Sequence, residues 1–581
     1  MRVREMAKER AQTNNSVSKK STTTAQVKKP KDTIIRKVFE GCGFRHIQSD
    51  NIHFQINSRE GEIDHIFVYE NVVVLCEETV QQDVSSHFGN KKFFHELIAQ
   101  SRPEFLKIYR KLNQAFASYL EQSDFLDEEY EFRHIYFSGN KEADDGLTLN
   151  SNILRIMQIQ DANYFDQLGK IIGSSARYEM LKYLKIGLKD IGDRRKRGGS
   201  GTPFTDFSAF VLPSSQTNYP PGFGIVSFYA DPASLIRRAY VMRKDGWTQP
   251  EVSYQRFLKR TKITSMRNYL SKNKRVYINN LIVTLPSESE IRDSNTKTTI
   301  SLAGINKICD AKISIPDELG TIGVIDGQHR IFSYHEGHDG YESTIKQYRE
   351  RQNLLVTGLI FPTNYDDTQR AKFEAELFLA INDTQASVRS DLKQEIEAIV
   401  NPLSPIALAK SIVAGLSKEG PLAGKLQRNL YDGSARMKTG SIVRYVLVPM
   451  MRTPRSSTRR DTLIAVWGAM VGKTELTNDV DKDSFVTFSV QQINRFLMGA
   501  MKNVRPGTWS LSGPKSDGIL NPTSVGGFML CLKEILASDR DITRIDYEKY
   551  FKKLGEFKFD TYRSSRWSEM GRALSKEYFL L

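Results

Sequence analysis

The stretch Gly323-Val-Ile-Asp-Gly-Gln-His-Arg330, which continues as Ile331-Phe-Ser-Tyr334, places a polar bend between two apolar runs. The residues before the bend are typical of a strand end, and those after it of an amphipathic helix start. Gly327 lets the backbone approach a ligand because it carries no Cβ. A helix that begins there presents free N–H groups, and Arg330 adds a planar cation for phosphate oxygens. The stretch predicts a strand, a bend and a helix that either bind an anion or form a tight turn closed by an Asp326–Arg330 pair.

The run from Asp326 to Arg330 resembles the signature of the DGQHR-domain proteins. That group includes the DndB-type proteins linked to phosphorothioate DNA modification, and it is related to the ParB/sulfiredoxin superfamily. Upstream, Tyr277 to Pro286 has the branched apolar residues of a strand. Downstream, Phe378 to Gln385 is similar to the segment that follows the signature in these families. The resemblance covers about residues 205 to 400.

The resemblance implies a nucleotide-binding pocket at the bend, because the equivalent loop of ParB-like relatives binds nucleotide phosphates. It implies roles for five consecutive residues: Asp326, Gly327, Gln328, His329 and Arg330. Asp326 would position Mg²⁺ or an attacking water, Gln328 would orient that water, and Arg330 would hold phosphate. Gly327 and His329 are expected to contact the nucleotide. Asn382 and Gln385 are expected to line the same pocket; as residues at a helix end and a following turn they would need no function.

A second group of carboxylates lies in the first third of the chain. Gly61-Glu-Ile-Asp64 is followed by Glu77-Glu78-Thr79 at the end of an apolar strand. Two carboxylates on adjacent strand ends can converge on Mg²⁺, which activates water and stabilises charge on phosphate. The spacing predicts Asp64 and Glu77 as catalytic metal ligands, with Glu40 on the leading helix as an optional further ligand.

The order helix, strand, Asp, strand, Glu, helix resembles the PD-(D/E)XK restriction-endonuclease superfamily. That superfamily has a lysine two positions after the glutamate, where this chain has Thr79. Either Lys91 or Lys92 of the next helix supplies the cation, or the site lacks one. Three interpretations stay open: a Mg²⁺-dependent nuclease, a degenerate domain that binds DNA without cutting it, and an unrelated α/β domain.

Composition divides the 581 residues into segments. The first is basic with few large apolar residues, which is typical of disorder, and a Gly/Ser-rich basic stretch after Gly192 is typical of a linker. The prediction is an α/β (α+β) protein with these parts: a disordered basic arm (1–31), an endonuclease-like domain (32–190), a flexible basic linker (191–203), a ParB-like DGQHR domain (204–400) and a mainly helical C-terminal extension (401–581).

Charge and cysteine usage limit the class of protein. The formal net charge is +15 and the sequence pI is about 9.3, which favours DNA as a partner because bound cations release counterions from phosphates. No run of eighteen apolar residues is present, so no membrane span is expected. The N-terminus has no apolar signal region, and the four cysteines lie far apart. These features predict a cytoplasmic chain with reduced thiols.

Together the motifs predict a DNA-binding and nucleotide-binding protein of a bacterial DNA modification, restriction or phage-defence system. Its expected cofactors are Mg²⁺ and a nucleoside triphosphate, and its candidate activities are NTP hydrolysis and DNA cleavage. The alternative is a non-enzymatic regulator of the DndB type, or a subunit that acts only with other proteins of a modification complex. The sequence does not specify the DNA site or the nucleotide.

Overall fold

The structure of the protein, a computed structural model, is a mixed α/β fold. Residues Ile34–Leu581 form one compact unit. The predicted basic arm (1–31) and most of the predicted linker (193–203) lie outside the described residues. The structure describes residues 33–81, 84–139, 153–192, 204–220, 222–242, 257–302, 305–385, 396–427, 436–452, 462–513, 516–538, 540–562 and 566–581.

The first sheet has five strands in the order β1-β4-β5-β6-β7. β1, β4 and β5 are antiparallel neighbours, whereas β5, β6 and β7 run parallel. A separate hairpin, β2–β3, lies between β1 and β4 along the chain. The strands are β1 (Arg45–Gln48), β2 (Phe54–Ile56), β3 (Arg59–Gly61), β4 (His65–Tyr69), β5 (Val72–Thr79), β6 (Glu131–Ser138) and β7 (Leu154–Met157).

Helices cover both faces of this sheet: α1 (Ile34–Gly41), α2 (Ser85–Gln100), α3 (Arg102–Leu112), α4 (Gln114–Ser123), α5 (Ile159–Ile172) and α6 (Arg177–Tyr183). The sequence pattern predicts one long helix from about Asn90 to Leu120, and this prediction is wrong. The helix is broken because Pro103 begins a new first turn and Asn113 caps another. The Asn113 side chain accepts a hydrogen bond of 3.0 Å from the Phe116 N–H.

Side chains that alternate along β4 and β5 contribute to two apolar cores, one on each face of the sheet. Ile66 and Leu75 belong to the core beneath α2, α3 and α4. Phe67 and Val74 point to the opposite face, into a core shared with the second sheet. Because side chains alternate along a strand, Glu77 points to the same side as Leu75, toward α2.

The second sheet has eight strands in the order β10-β14-β11-β15-β9-β8-β13-β12. Its neighbours are antiparallel except for the β10–β14 and β11–β15 pairs. The strands are β8 (Phe204–Leu212), β9 (Gly224–Ala230), β10 (Ala239–Tyr240), β11 (Leu281–Leu285), β12 (Glu290–Asp293), β13 (Cys309–Pro316), β14 (Ile322–Asp326) and β15 (Leu354–Ile360).

The helices that accompany this sheet are α7 (Pro232–Arg238), α8 (Arg260–Asn273), α9 (Gln328–Phe332), α10 (Glu342–Arg349) and α11 (Asp367–Gln385). The predicted strand, bend and helix around Gly327 are present as β14 and α9. Gly327 has φ 102°, a left-handed conformation that favours glycine. The strand predicted within Tyr277 to Pro286 is β11.

Helices predominate beyond residue 400, and they surround a core of their own. They are α12 (Pro405–Lys418), α13 (Gly440–Ile442, continued by a π turn over Val443–Leu447 and by Val448–Met450), α14 (Leu463–Val471), α15 (Asp479–Asn503), α16 (Pro522–Ala537), α17 (Tyr547–Tyr550) and α18 (Trp567–Phe579). In the part of the chain that the structure describes, no helix has both the length and the apolar character needed to cross a bilayer.

The turn after α9 contacts the first sheet's helices. Arg177 of α6 forms an ion pair with Glu336, and the Ser174 N–H donates a 3.0 Å hydrogen bond to the Glu336 carbonyl. In return the Glu336 N–H donates to the Ser175 hydroxyl at 2.9 Å. The segment next to the Gly327 bend is therefore attached to the domain that carries Asp64.

His335, in the same turn, is 5% exposed, and its Nδ1 lies 2.8 Å from the Phe332 carbonyl. Burial and then the charge of Arg267 lower the pKa of His335 to about 4, while Asp339 and Glu342 act in the opposite direction. The folded protein therefore resists protonation of a ring that the unfolded chain protonates near pH 6.5.

We expect the free energy of unfolding to decrease as the pH falls from 6.5 toward 4, in part through this ring. An H335N variant keeps a donor for the Phe332 carbonyl but cannot titrate. Its loss of stability between about pH 7.5 and pH 4.5 should be smaller than that of the wild type by roughly 2 kcal/mol. Urea denaturation at both pH values measures this difference, and equal pH dependence of the two proteins would contradict it.

Candidate metal centre

The structure brings Asp64 and Glu77 together at the edge of the first sheet. Asp64 immediately precedes β4, and β4 pairs with β5 so that His65 lies opposite Cys76. The Glu78 N–H donates a 2.8 Å hydrogen bond to Asp64 Oδ2. The two carboxyl groups are close enough for the charge of Glu77 to raise the pKa of Asp64. The two predicted metal ligands are thus neighbours, as the spacing indicates.

Lys91 completes this group from α2. Its Nζ lies 2.5 Å from Glu77 Oε2 and 3.2 Å from the Glu62 carbonyl oxygen. The Nζ of Lys92, the next residue of the helix, lies 4.0 Å from the Glu96 carboxylate. Of the two lysines that the sequence offers as a replacement for the missing cation, Lys91 is the one beside the carboxylates.

Thr79 occupies the position at which the superfamily pattern has its lysine. It is buried, and its Oγ1 accepts a 3.2 Å hydrogen bond from the Gln81 N–H. A lysine at position 79 would approach Glu77 from β5, the strand that carries both positions. Lys91 approaches Glu77 from the covering helix α2. The cation in this chain is therefore supplied by α2.

Two histidines that belong to none of the sequence motifs lie on the other side of Glu77. His95 Nε2 is 2.9 Å from Glu77 Oε1, and His95 Nδ1 is 2.7 Å from His134 Nδ1. Burial lowers the pKa of His95 to about 3 and that of His134 well below its usual value. The spacing of Lys91 and His95, one helical turn apart, is the sequence signal that places both on the same face of α2.

Burial sets the electrostatics of the carboxylates. It raises the pKa of Asp64 to about 6, with a further contribution from the negative charge of Glu77. It raises the pKa of Glu77 to about 7, while Lys91 acts in the opposite direction. Both groups therefore bind protons more readily than ordinary carboxyl groups do, and a nearby cation favours their ionised forms.

The donor set suits Mg²⁺. This ion is usually bound by one or two carboxylates, together with waters and substrate phosphates. Asp64 and Glu77 supply two carboxylates at adjacent strand ends. Within the described ranges, no group of three or more histidine, cysteine, aspartate or glutamate side chains has the arrangement of a metal site. The remaining ligands of a bound ion would have to come from water, backbone or substrate.

The structure does not bring Glu40 to this pair. Glu40 lies near the end of α1, where its carboxylate pairs with Arg36 Nε at 3.2 Å. The buried side of α1 is formed instead by apolar residues such as Ile35, Val38 and Phe39. The helical position of Glu40 directs its side chain outward, where it pairs with Arg36.

At the second predicted site, the Arg330 guanidinium already has internal partners. Its Nη2 donates to Asp326 Oδ2 and to the Asn280 carbonyl, both at 2.8 Å. Gly327 is buried, and a Cβ there would lie 2.4 Å from Leu281. A polyphosphate would have to compete with Asp326 for the Nη2 group of Arg330. This geometry favours the tight-turn interpretation, and nucleotide binding stays a prediction from the sequence.

Of the remaining predicted pocket residues, His329 and Asn382 have hydrogen-bond partners within the protein. His329 Nε2 accepts a 3.2 Å hydrogen bond from the Lys259 N–H. Gln328 is half-buried in the first turn of α9. Asn382 uses its amide within α11, where Nδ2 donates to the Phe378 carbonyl at 2.9 Å. The Gln385 side chain lies outside the described residues.

Comparison of the chain with protein-family models, with curated proteins and with solved structures gives no match. The family resemblances therefore depend on the quoted motifs alone. The geometry of Asp64, Glu77 and Lys91 is the evidence on which a functional assignment can be made.

Proposed function

We propose that the chain is a DNA-binding protein with a Mg²⁺-dependent nuclease site in residues 32–190, and that it belongs to a bacterial DNA modification, restriction or phage-defence system. The observation that carries the proposal is Lys91 Nζ at 2.5 Å from Glu77, beside Asp64. The order α1, β1, β4, β5, α2, β6 supports it, since this is the arrangement expected for a restriction-endonuclease-like domain.

Asp64 and Glu77 would hold the ion. Bound Mg²⁺ would supply a nucleophilic water at neutral pH and charge stabilisation on the phosphate. The Glu78 N–H fixes the Asp64 carboxylate in its orientation. Lys91, whose side chain is 18% exposed beside the fully buried Glu77, would stabilise the negative charge that develops during phosphodiester hydrolysis.

DNA as the substrate is supported by the net charge of +15, because positive charge attracts and retains polyanions. We assign residues 204–400 to a ParB-like DGQHR domain on the Asp326–Arg330 motif, and residues 401–581 to a helical extension. In this assignment both parts hold the DNA or other subunits of the system while the first domain cleaves.

The two adjacent lysines of α2 provide the test. Purified wild-type protein, K91M and K92M are incubated with plasmid and single-stranded DNA, in Mg²⁺ and in EDTA. We expect Mg²⁺-dependent cleavage by the wild type, and a rate for K91M that is lower by about 100-fold or more, the usual effect of removing one charge-stabilising group. K92M serves as the control and should retain a rate within about twofold of the wild type. Equal loss in both variants, or none in K91M, would contradict the role of Lys91.

A DNA-binding protein without cleavage is the second candidate. The site has two clustered candidate ligand side chains, and no group of three occurs in the described part of the chain. This observation favours a protein that binds DNA without cutting it. Tight DNA binding by the wild type, with no cleavage in either Mg²⁺ or Mn²⁺, would support this regulator or complex subunit and would exclude the nuclease.

A further inference from the structure

The two oxygens of the Glu77 carboxylate have different partners. Oε2 faces Lys91, and Oε1 faces His95 Nε2 at 2.9 Å. Glu77 and His95 are both 0% exposed, so water does not compete for the His95 contact. His95 in turn contacts His134, which is 5% exposed, through the two Nδ1 atoms at 2.7 Å.

This arrangement has one consistent set of hydrogen positions when Glu77 is ionised. A carboxylate only accepts hydrogen bonds, so His95 Nε2 must carry the hydrogen. A neutral imidazole has one donor and one acceptor, so His95 Nδ1 is then an acceptor. His134 Nδ1 must therefore donate to it. The result is a directed chain from His134 through His95 to Glu77 Oε1.

We propose that His95, oriented by His134, is a positioning residue that fixes the Glu77 carboxylate for a divalent cation. This inference rests on the proposed metal-dependent function. The His95 N–H holds Oε1 and restricts rotation of the carboxylate, so that Oε2 stays directed toward Lys91. Partners of this kind typically contribute about 10-fold to 100-fold to metal affinity.

Helix α2 positions two of the side chains that contact Glu77. Lys91 and His95 are four residues apart and so project from one face of the helix, each toward one oxygen of Glu77. His134 lies on β6, the parallel neighbour of β5 that carries Glu77. One helix and two adjacent strands therefore determine the position of a single carboxylate.

The first test is a measurement of Mn²⁺ affinity by calorimetry on the full-length protein. H95F, which removes the donor, should bind Mn²⁺ at least about 10-fold more weakly than the wild type. H95Q, whose amide can still donate to Glu77 and accept from His134, should stay within about threefold. Wild-type affinity in a folded H95F variant would overturn the proposal.

The second test needs no substitution and covers the case in which H95F does not fold. Nitrogen-15 spectra of histidine-labelled protein, recorded well above the Glu77 pKa of about 7 so that this carboxyl is ionised, should show an Nε2–H tautomer for His95 and an Nδ1–H tautomer for His134. The opposite pair of tautomers would overturn the proposal.

These outcomes are distinguishable from failure of the proposed function. If Mn²⁺ binds and H95F weakens the binding, but DNA is not cut, the nuclease assignment fails and the positioning role stands. If DNA is cut and H95F binds Mn²⁺ like the wild type, the positioning role fails and the nuclease assignment stands.

Discussion

Asparagine in place of Asp64 is expected to lower Mg²⁺-dependent DNA cleavage by at least about a thousandfold, because metal-ion stabilisation supplies several kcal/mol at such sites. Asparagine is similar in shape, and its carbonyl can still accept the 2.8 Å hydrogen bond from the Glu78 N–H. The variant therefore removes the negative charge and leaves the local packing in place.

The same substitution should stabilise the metal-free protein at alkaline pH. Burial and the nearby Glu77 raise the pKa of Asp64 to about 6, so its ionisation is less favourable in the folded state than in the unfolded chain. Protonated Asp64 therefore favours the folded state. This contribution to the free energy of unfolding is complete below the pKa of Asp64 in the unfolded chain and is lost as the pH rises through about 6. D64N should thus exceed the wild type in stability by roughly 3 kcal/mol near pH 8, and should lose this advantage below about pH 4.

Cleavage rates and urea denaturation of the metal-free proteins at both pH values measure the two effects. E40Q is the matched control, since Glu40 is an acidic residue of the same domain that pairs with Arg36 away from the site. E40Q should change neither the rate of DNA cleavage nor the pH dependence of the free energy of unfolding. Cleavage by D64N at the wild-type rate would show that this pair of carboxylates is not catalytic.

Replacing Arg267 by alanine should destabilise the folded protein by about 3–5 kcal/mol, the usual cost of removing one partner of a buried ion pair. Arg267 is fully buried on α8. Its Nε and Nη2 each lie 2.8 Å from a carboxylate oxygen of Asp339, and Nη2 also donates to Glu342 at 3.1 Å. Its Nη1 donates to the Ser333 carbonyl at 3.2 Å and to the His335 carbonyl at 2.7 Å.

The substitution would leave two carboxylates without this partner and the Ser333 carbonyl without the Arg267 donor, and the His335 carbonyl would keep only its bond from Arg349, in the turn that follows the Gly327 bend. Urea denaturation at neutral pH measures the loss. R292A is the control, because Arg292 pairs with Glu290 at 2.6 Å while both side chains are 40% exposed; its unfolding midpoint should stay close to that of the wild type. A similar midpoint for R267A would show that the turn is held by other contacts.

Local sequence was sufficient for the parts of the fold that depend on neighbouring residues. The apolar strand predicted to end at Glu77 corresponds to β5, the strand predicted within Tyr277 to Pro286 contains β11, and the predicted bend lies at Gly327. The helix predicted from about Asn90 to Leu120 was wrong because periodicity continues through Pro103, which is compatible with the first turn of a new helix.

The candidate site was predictable only in part. Asp64 and Glu77 could be paired from the sequence, since each lies at the end of one of two adjacent predicted strands. The choice of Lys91 over Lys92 required the orientation of α2 over β5, and the Arg330–Asp326 pair was one of two interpretations of the bend. His95 and His134 belong to no sequence motif. A lone histidine on an apolar face usually has only a packing role, so the sequence does not mark either residue as part of the site.

By itself the amino-acid sequence determined the strand, glycine bend and helix at Gly327, and the carboxylates at two strand ends, because these depend on side-chain period and on backbone angles that few residues adopt. Tertiary structure alone decided which charges meet. The packing of α2 on β5 brings Lys91 and His95 to opposite oxygens of Glu77, and the packing of β14 on β11 places Arg330 beside the Asn280 carbonyl. Contacts between elements distant along the chain arise from burial of apolar faces, which the local pattern does not specify.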